Sequence, residues 1–574
     1  MKSFALLLCS ALCVALQGAS AQTALVVPDT LSGPQLNLVA HPDSVAFFNG
    51  PYSHTIGYNA YPYLGPTLIL QKGQQVQMHV NNMLSDTTTV HWHGLHVPAA
   101  DDGGPHTLIL AGQTWSPSFE VKNQAATYWY HPHLHGKTAA QAIKGAAGLI
   151  IVRDSAEAQL ALPRQYGIDD FPIIVQSQQY NNLNQAMPLG MQDSTILVNG
   201  ALANNGHEVF LNAPAQFIRL RLLNASGERV FLFGFSDNLP FWQIASDGGL
   251  LDAPSLETRI RLSPGERAEI LIDLSGHEGQ THYLMSKASE LPMGVQGGPT
   301  MPMPPGSPPM DSPLNGIDFS ILRIQVVPAT ANAIHSIPSQ LISNTMLEVQ
   351  NIDIEREIRF SADSMMVMDG PFYFNDSSFM MDRIDFVIPV GQTERWKLVN
   401  ETMVGHPFHL HDVPFQLYDR NDGQTPLYNE RFQKDVVYLP MGDSLRFLAQ
   451  FTDFSDTLIP YMFHCHILMH EDAGMMGQFL VVPSNWVGTH QLTIVQQLSV
   501  YPNPCTSKIT VPASITQNGA FDYLIVSNDG RVVQRVHHQE TSELTLAYLP
   551  AGPYRIVIRQ GKNVSSATFV VGAE

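Results

Sequence analysis

The sequence predicts an all-β protein built from several packed sandwiches or barrels, and three observations carry that reading. Short runs such as TLILQKGQQVQMHVNN (67–82), QFIRLRLLNAS (216–226) and LRFLAQFTDFS (445–455) alternate apolar and polar residues, the period of a strand with one buried face. Gly, Pro, Asn and Asp interrupt these runs at close intervals, as in antiparallel sheets, and long helical periodicity is scarce. A weak internal repeat runs strand, small turn, strand, then Asn and a polar residue: it is seen near 68–82, 209–226 and 387–402, which suits three copies of one unit.

Taken along the chain, each segment has its reason. Residues 1–21, MKSFALLLCSALCVALQGASA, open with Lys2, continue through an apolar run and end on Ala19-Ser20-Ala21, which reads as an export signal cut after Ala21. No twin arginine precedes the apolar run, so the general export route is expected and any metal would be loaded outside the cytoplasm. The repeats then place domains at 22–159, 160–328 and 329–490. Residues 291–316, LPMGVQGGPTMPMPPGSPPMDSPLNG, form a Pro/Met-rich loop inside the second. A separate small β-sandwich is expected over 495–574, with an Asn528-Asp529-Gly530 turn. The 574 residues fit the prior of about three to five domains.

Composition narrows the function. Lys and Arg total 30 against 50 Asp and Glu, a net charge of −20, with no basic tract, which excludes a nucleic-acid footprint and suits cations or neutral molecules. No later stretch is apolar for long enough to span a bilayer. Of the four cysteines, Cys9 and Cys13 leave with the signal. Cys465 and Cys505 fall in different domains, so no disulfide is expected between them.

The chemistry is concentrated in four histidine clusters: His91 and His93 in HWHG, His131 and His133 in HPHLHG, His406, His409 and His411 in HPFHLH, and His464, His466 and His470 around Cys465 in FHCHILMHEDAGMM. These are ten of the 23 histidines. In a strand, His464 and His466 share one face while Cys465 looks the other way, so this segment reads as a bridge between two metal sites. Two imidazoles, a thiolate and a thioether form a blue-copper donor set, whereas structural zinc normally takes more thiolates. His406, Cys465, His470 and Met475 are the candidates for it. The remaining eight histidines are too many for one ion and suit a cluster of three.

With these four motifs in this order, the sequence resembles a three-domain bacterial multicopper oxidase of the laccase and cuprous-oxidase type, over residues from about 25 to 485. The resemblance implies three cupredoxin-like Greek-key domains and four copper ions. It implies a type 1 site at His406, Cys465, His470 and axial Met475, and a type 2 copper on His91 and His409. One type 3 copper would sit on His93, His131 and His466, and the other on His133, His411 and His464. It further implies that Cys465 passes electrons through His464 and His466, so that four one-electron oxidations reduce one dioxygen to two waters. Asp102 and Glu471 match positions that similar enzymes use to deliver protons, the alternative being acids that orient a histidine. His135 is not expected to be a ligand.

The electron donor is less determined. Met293, Met301, Met303 and Met310 in the Pro-rich loop, Met365, Met366 and Met368 in SMMVMDG, and Met380 and Met381 favour cuprous ion, since thioethers bind soft Cu(I); core filling and linker composition are the alternative. Two departures from similar cuprous oxidases favour broad laccase activity on phenols or bilirubin-type pigments. The long methionine-rich helical insert is absent, and NETMVGHPFHLH offers Glu401 and Met403 in a shifted register. A third class is surface copper binding without turnover. From about 495, VYPNP and LPAGPYRIVI resemble a C-terminal sorting domain of the type IX secretion pathway, which implies export across an outer membrane and removal of the module; an accessory sandwich is the alternative. A monomer is expected, because one chain closes the copper cluster.

Overall fold

The computed structural model describes residues 21–188, 192–300, 312–363, 370–486, 496–517, 519–527, 532–546, 549–560 and 563–572. The export signal up to Ser20, Met301, Met303, Met310, Met365, Met366, Met368 and the Asn528-Asp529-Gly530 turn lie outside these residues.

Strands dominate, and no α-helix among the described residues exceeds five residues. The strands form four sandwiches in chain order. In the first, a five-stranded sheet ends on the strand His91–His93, beside Ala126–His131, and packs on a sheet containing Gln35–Val45 and Gln75–Asn82. The second joins a six-stranded and an eight-stranded sheet, the latter holding Asp170–Tyr180, Phe217–Asn224 and Arg267–Asp273. Its six-stranded sheet also takes in Ala21–Ala24, which pairs in parallel with His207–Pro214. The third joins a six-stranded sheet containing Thr393–Asn400 to a five-stranded sheet containing His406–Leu410 and Tyr461–Cys465. The fourth pairs a five-stranded with a two-stranded sheet after Gln496.

Each sandwich has its own core, as expected when alternating side chains from two sheets meet face to face. Leu38, Val80 and Tyr128 fill the first, Leu220, Phe233 and Ile270 the second, Trp396, Phe408 and Phe463 the third, and Ile525, Ile556 and Phe569 the fourth. Gln75–Asn82 and Thr393–Asn400 alternate between buried and partly exposed side chains. Phe217–Asn224 departs from this, being buried along its whole length. Its polar face is a junction: Arg219 contacts Glu157 and Glu269, and Arg221 contacts Asp170, Glu269 and Thr127 of the first sandwich.

The first and third sandwiches are also joined directly, which matters because the histidine motifs are divided between them. Tyr461 donates its hydroxyl to the Val97 carbonyl at 2.7 Å. Asp472 accepts from the amides of Thr138 and Ala139 at 2.9 and 3.0 Å.

Candidate metal centre

Strand register places the donors. His406–Leu410 pairs antiparallel with Tyr461–Cys465 so that Phe408 faces Cys465 and His409 faces His464. Because alternate residues point to opposite faces, His406 and Cys465 enter the core of the third sandwich while His409 and His464 point toward the first. There the strand His91–His93 pairs with Ala126–His131, setting His91 opposite His131 and Trp129 opposite His93. The short helix Leu468–Asp472 returns His470 to the cysteine side.

On that side three donors converge. Cys465 Sγ lies 3.5 Å from His406 Nδ1 and 3.7 Å from His470 Nδ1, and the two nitrogens are 3.3 Å apart. His406 donates from Nε2 to Thr402 Oγ1 at 2.9 Å, which leaves Nδ1 as the lone-pair nitrogen. Phe372 lies against both rings, with centroids 4.8 Å from His406 and 4.5 Å from His470. Met475 is fully buried, and its carbonyl accepts from the Cys465 amide at 3.1 Å. Burial pushes the Cys465 thiol up and holds His470 down near about 3. A thiolate in this pocket therefore requires a cation beside it.

On the opposite side the remaining eight histidines form one buried cluster. His91 stacks on His411 with centroids 3.9 Å apart, and His93 stacks on His409 at 3.8 Å, each pair joining the first sandwich to the third. His131 Nε2 and His466 Nε2 lie 3.2 and 3.3 Å from His93 Nδ1, and His133 Nε2 lies 3.1 Å from His464 Nε2. Four groups have donor atoms that could share an ion: His91, His409 and His411; His93, His131 and His466; His133, His411 and His464; and His93, His409 and Asp435.

Outer acceptors decide which nitrogen of each ring is free. His91 Nδ1 faces the Asp102 carbonyl at 2.9 Å, His409 Nδ1 the Asp435 carbonyl at 2.7 Å, and His411 Nδ1 faces Asp102 Oδ2 at 2.8 Å. The Nε2 atoms of these same rings are buried with no hydrogen-bond partner. Burial first, and crowding by neighbouring imidazoles second, hold His93, His131, His133, His409 and His466 well below the ordinary histidine range. Neutral imidazoles with orphaned, converging lone pairs are what metal binding requires, because an unpaired buried acceptor is otherwise costly. The residues fit copper: eight imidazoles in the cluster, and soft sulfur on the other side.

Asp102 and Glu471 each touch histidines from two sandwiches. Asp102 Oδ1 is 3.4 Å from His91 Nδ1 in addition to its contact with His411. Glu471 lies 3.4 Å from His133 Nδ1 and 3.3 Å from His464 Nδ1. Burial works against the Asp102 charge, yet His91 and His411 outweigh it and hold the carboxyl below its ordinary range. His135 stands outside both groups, edge-on to Phe379. Glu401 is exposed near Arg359. Sequence reasoning missed Thr402, Asp435 and Arg267. Asp435 Oδ1 accepts from His93 Nε2 at 3.1 Å and is held by Arg267. Its one signal was an acid opening the apolar strand Val436–Leu439, which pairs with the HPFHLH strand.

Comparison with known proteins agrees with this geometry. Two family models, both described as multicopper oxidase, match residues 40–157 and 349–485 respectively, and one described as a secretion system C-terminal sorting domain matches 499–572. The multicopper oxidase mco of Staphylococcus haemolyticus is 35% identical over 453 residues, covering 77% of this chain and 88% of that protein. The cell division protein FtsP of Photorhabdus laumondii is 30% identical, covering 81% and 93%. The structure of a laccase-like multi-copper oxidase, CueO, from Ochrobactrum sp. matches with a TM-score of 0.69 at 30% identity, covering 80% of this chain and all of that one. With two donor sets, cupredoxin-like sandwiches and these relatives, the chain belongs to the multicopper oxidase family and ends in a secretion sorting domain.

Proposed function

We propose that the protein is a copper-dependent oxidase that takes single electrons from a reducing donor and passes them to dioxygen, giving water. One observation carries this reading: a single strand end presents Cys465 to a two-histidine site in one core, and His464 and His466 to an eight-histidine cluster behind it. His406, Cys465, His470 and Met475 would hold a type 1 copper, and His91 and His409 a type 2 copper. His93, His131 and His466, and His133, His411 and His464, would hold two type 3 coppers, making four ions. When bound, copper supplies one-electron chemistry at the first position and four-electron reduction of dioxygen at the cluster.

The chain's own residues do the rest. Cys465 is joined to His464 and His466 through the backbone, a short covalent path between the sites. His470 is 6% exposed while His406 and Cys465 are 0% exposed, so of these three ligands His470 is the one nearest to solvent. Asp102 fixes the ring proton of His411, and Asp102 and Glu471 are both placed to pass protons toward the cluster.

Cuprous ion is the leading donor, and the support is positional. Gln296, in the Pro/Met-rich loop, donates to the carbonyl of Gly405, next to His406, at 2.7 Å, and accepts from Tyr438 Oη at 2.7 Å. Arg229 holds Ser312 and Asn315 at the far end of the same loop, each at 2.8 Å. SMMVMDG leads directly to Phe372, which contacts both histidines beside Cys465. Laccase-like oxidation of phenols or bilirubin-type pigments is the second reading, favoured because no long helix among the described residues covers His470. Oxygen uptake by the copper-loaded mature protein, comparing a cuprous complex with a methoxyphenol, separates them. Faster cuprous turnover supports a copper-detoxifying oxidase; the reverse makes the protein a laccase, and no turnover with either donor removes both readings in favour of copper binding alone.

We further propose secretion or outer-surface attachment through the type IX machinery, with domains at 22–159, 160–328 and 329–490 acting as one monomer. The sorting-domain match supports the export route. No helix among the described residues is long and apolar enough to cross a membrane.

A further inference from the structure

The second sandwich contributes none of the twelve candidate ligands, yet it reaches the histidine cluster at two points. Gly265 lies against the ring of His466, so that a Cβ there would stand 2.9 Å from its Cδ2. Two residues on, Arg267 is fully buried and grips Asp435 with both arms, Nη1 to Oδ1 at 2.5 Å and Nη2 to Oδ2 at 2.6 Å. Its other side-chain hydrogen bonds go to backbone carbonyls, Nε to Thr127 at 3.0 Å, Nη1 to Gly265 at 3.1 Å and Nη2 to Asp247 at 2.9 Å, and the guanidinium also lies 3.8 Å from Asp247 Oδ1 and over the Tyr128 ring. A planar fork matched to a carboxylate fixes direction as well as charge.

Asp435 passes that direction on to two rings. Its Oδ1 accepts from His93 Nε2 at 3.1 Å, and its carbonyl accepts from His409 Nδ1 at 2.7 Å. These rings are stacked 3.8 Å apart and 9° from parallel, although they come from different sandwiches. A proton held on His93 Nε2 leaves Nδ1 free toward His131 and His466, and a proton held on His409 Nδ1 leaves Nε2 as one of the orphaned nitrogens. One carboxylate residue thus selects the tautomers of two histidines that, on the copper assignment proposed above, serve different ions.

We propose that Arg267 is a positioning residue through which the second sandwich controls copper retention in the histidine cluster, and not at the Cys465 site. The inference rests on the copper assignment above. Asp435 is the carboxylate that the Arg267 guanidinium hydrogen-bonds: Asp247 Oδ1 stands 3.8 Å from Nη1, and Lys434 contacts Asp247 Oδ2 and Glu266 at 2.9 and 3.0 Å.

The test compares copper-loaded wild type with R267K, which keeps the buried positive charge but replaces the fork with one point donor. Copper per chain, the type 2 electron paramagnetic resonance signal and the blue charge-transfer absorption are measured on each. The expected R267K protein keeps its blue absorption, loses the type 2 signal and holds at least one copper fewer per chain than wild type. Full copper content with an unchanged type 2 signal overturns the inference, as does an equal loss of the blue absorption. Wild type without copper overturns the assignment beneath it as well. If R267K does not fold, wild type is titrated with urea: cluster copper leaving as the Arg267–Asp273 amides begin to exchange, with the blue absorption still intact, supports the inference, and simultaneous loss of both overturns it.

Discussion

Cys465 is the residue where the two donor sets meet, so its replacement separates an oxidase from a copper store. Serine keeps the shape but removes the soft sulfur. For Cys465→Ser we expect the blue absorption to vanish and donor oxidation to fall by about 100-fold or more, above the roughly 10- to 100-fold typical of an outer partner. Copper held by the eight remaining histidines should stay, as counted per chain by metal analysis; undiminished oxidation would remove Cys465 from the electron path. Asp102 tests the acids. Asp102→Asn keeps one acceptor for His411 but removes the charge that the two rings share, and reoxidation of the reduced enzyme by dioxygen should slow roughly 10- to 100-fold with the blue absorption unchanged. An unaltered reoxidation rate would leave Asp102 without a part in the reaction. The histidine sets were legible because paired spacing on a strand sends alternate side chains to one face. Asp435 and Thr402 were not: a single acid or hydroxyl carries no spacing signal, and Asp435 meets His93 across 342 positions of sequence.

At the scale of strands, the cysteine segment depends on a tight cross-strand contact. Gly477 pairs with Phe463 in the register of Tyr461–Cys465 against Met476–Val482, and a Cβ at 477 would collide with the Phe463 ring. That ring cannot easily yield, being packed on Trp396 and Phe374 at 5.7 and 5.4 Å. Gly477→Ala should therefore destabilise the third sandwich by about 1–3 kcal/mol, read as a lower denaturant midpoint. An unchanged midpoint would mean that the strands part at no cost. Alternation made Gln75–Asn82 and Thr393–Asn400 legible, since each has one face in a core. The same pattern misled at Phe217–Asn224, where Arg219 and Arg221 suggest a solvent face but pair with buried acids at the junction with the first sandwich. Sequence alternation reports that two faces differ in polarity; it does not report whether the polar face meets water or another domain.

Across the whole molecule, the eight-histidine cluster depends on how the first and third sandwiches are held together, and one clamp between them is expected to respond to pH. His96 of the first is 2.9 Å through Nδ1 from both the carbonyl and Oδ1 of Asp412 in the third, and 2.5 Å through Nε2 from Asp453, which Lys122 also contacts. Burial disfavours the imidazolium, yet the hydrogen bonds to Asp412 and Asp453 outweigh it and raise His96 from 6.5 to about 10. A group whose folded pKa is raised adds stability that is complete below its unfolded value and is lost as pH rises through the folded one. The His96 contribution is therefore complete at about pH 6 and gone above about pH 10. Asp453 sets the acid side: its hydrogen bond to His96 lowers it to about 2, so its share persists above its ordinary 3.8 and fades only as pH falls toward 2. Asp412 faces the same ring, with burial pushing it up to about 6, and the alkaline limb is accordingly the cleaner measurement. Copper-loaded wild type should exceed His96→Gln in unfolding free energy by on the order of 2–4 kcal/mol at pH 6, the gap closing as pH approaches 10. Denaturant titrations at pH 6, 8 and 10 would measure it. A gap that stays constant would place the His96 contribution in packing, not in charge, whereas a gap that closes makes the junction between the two histidine-bearing sandwiches progressively weaker in alkali.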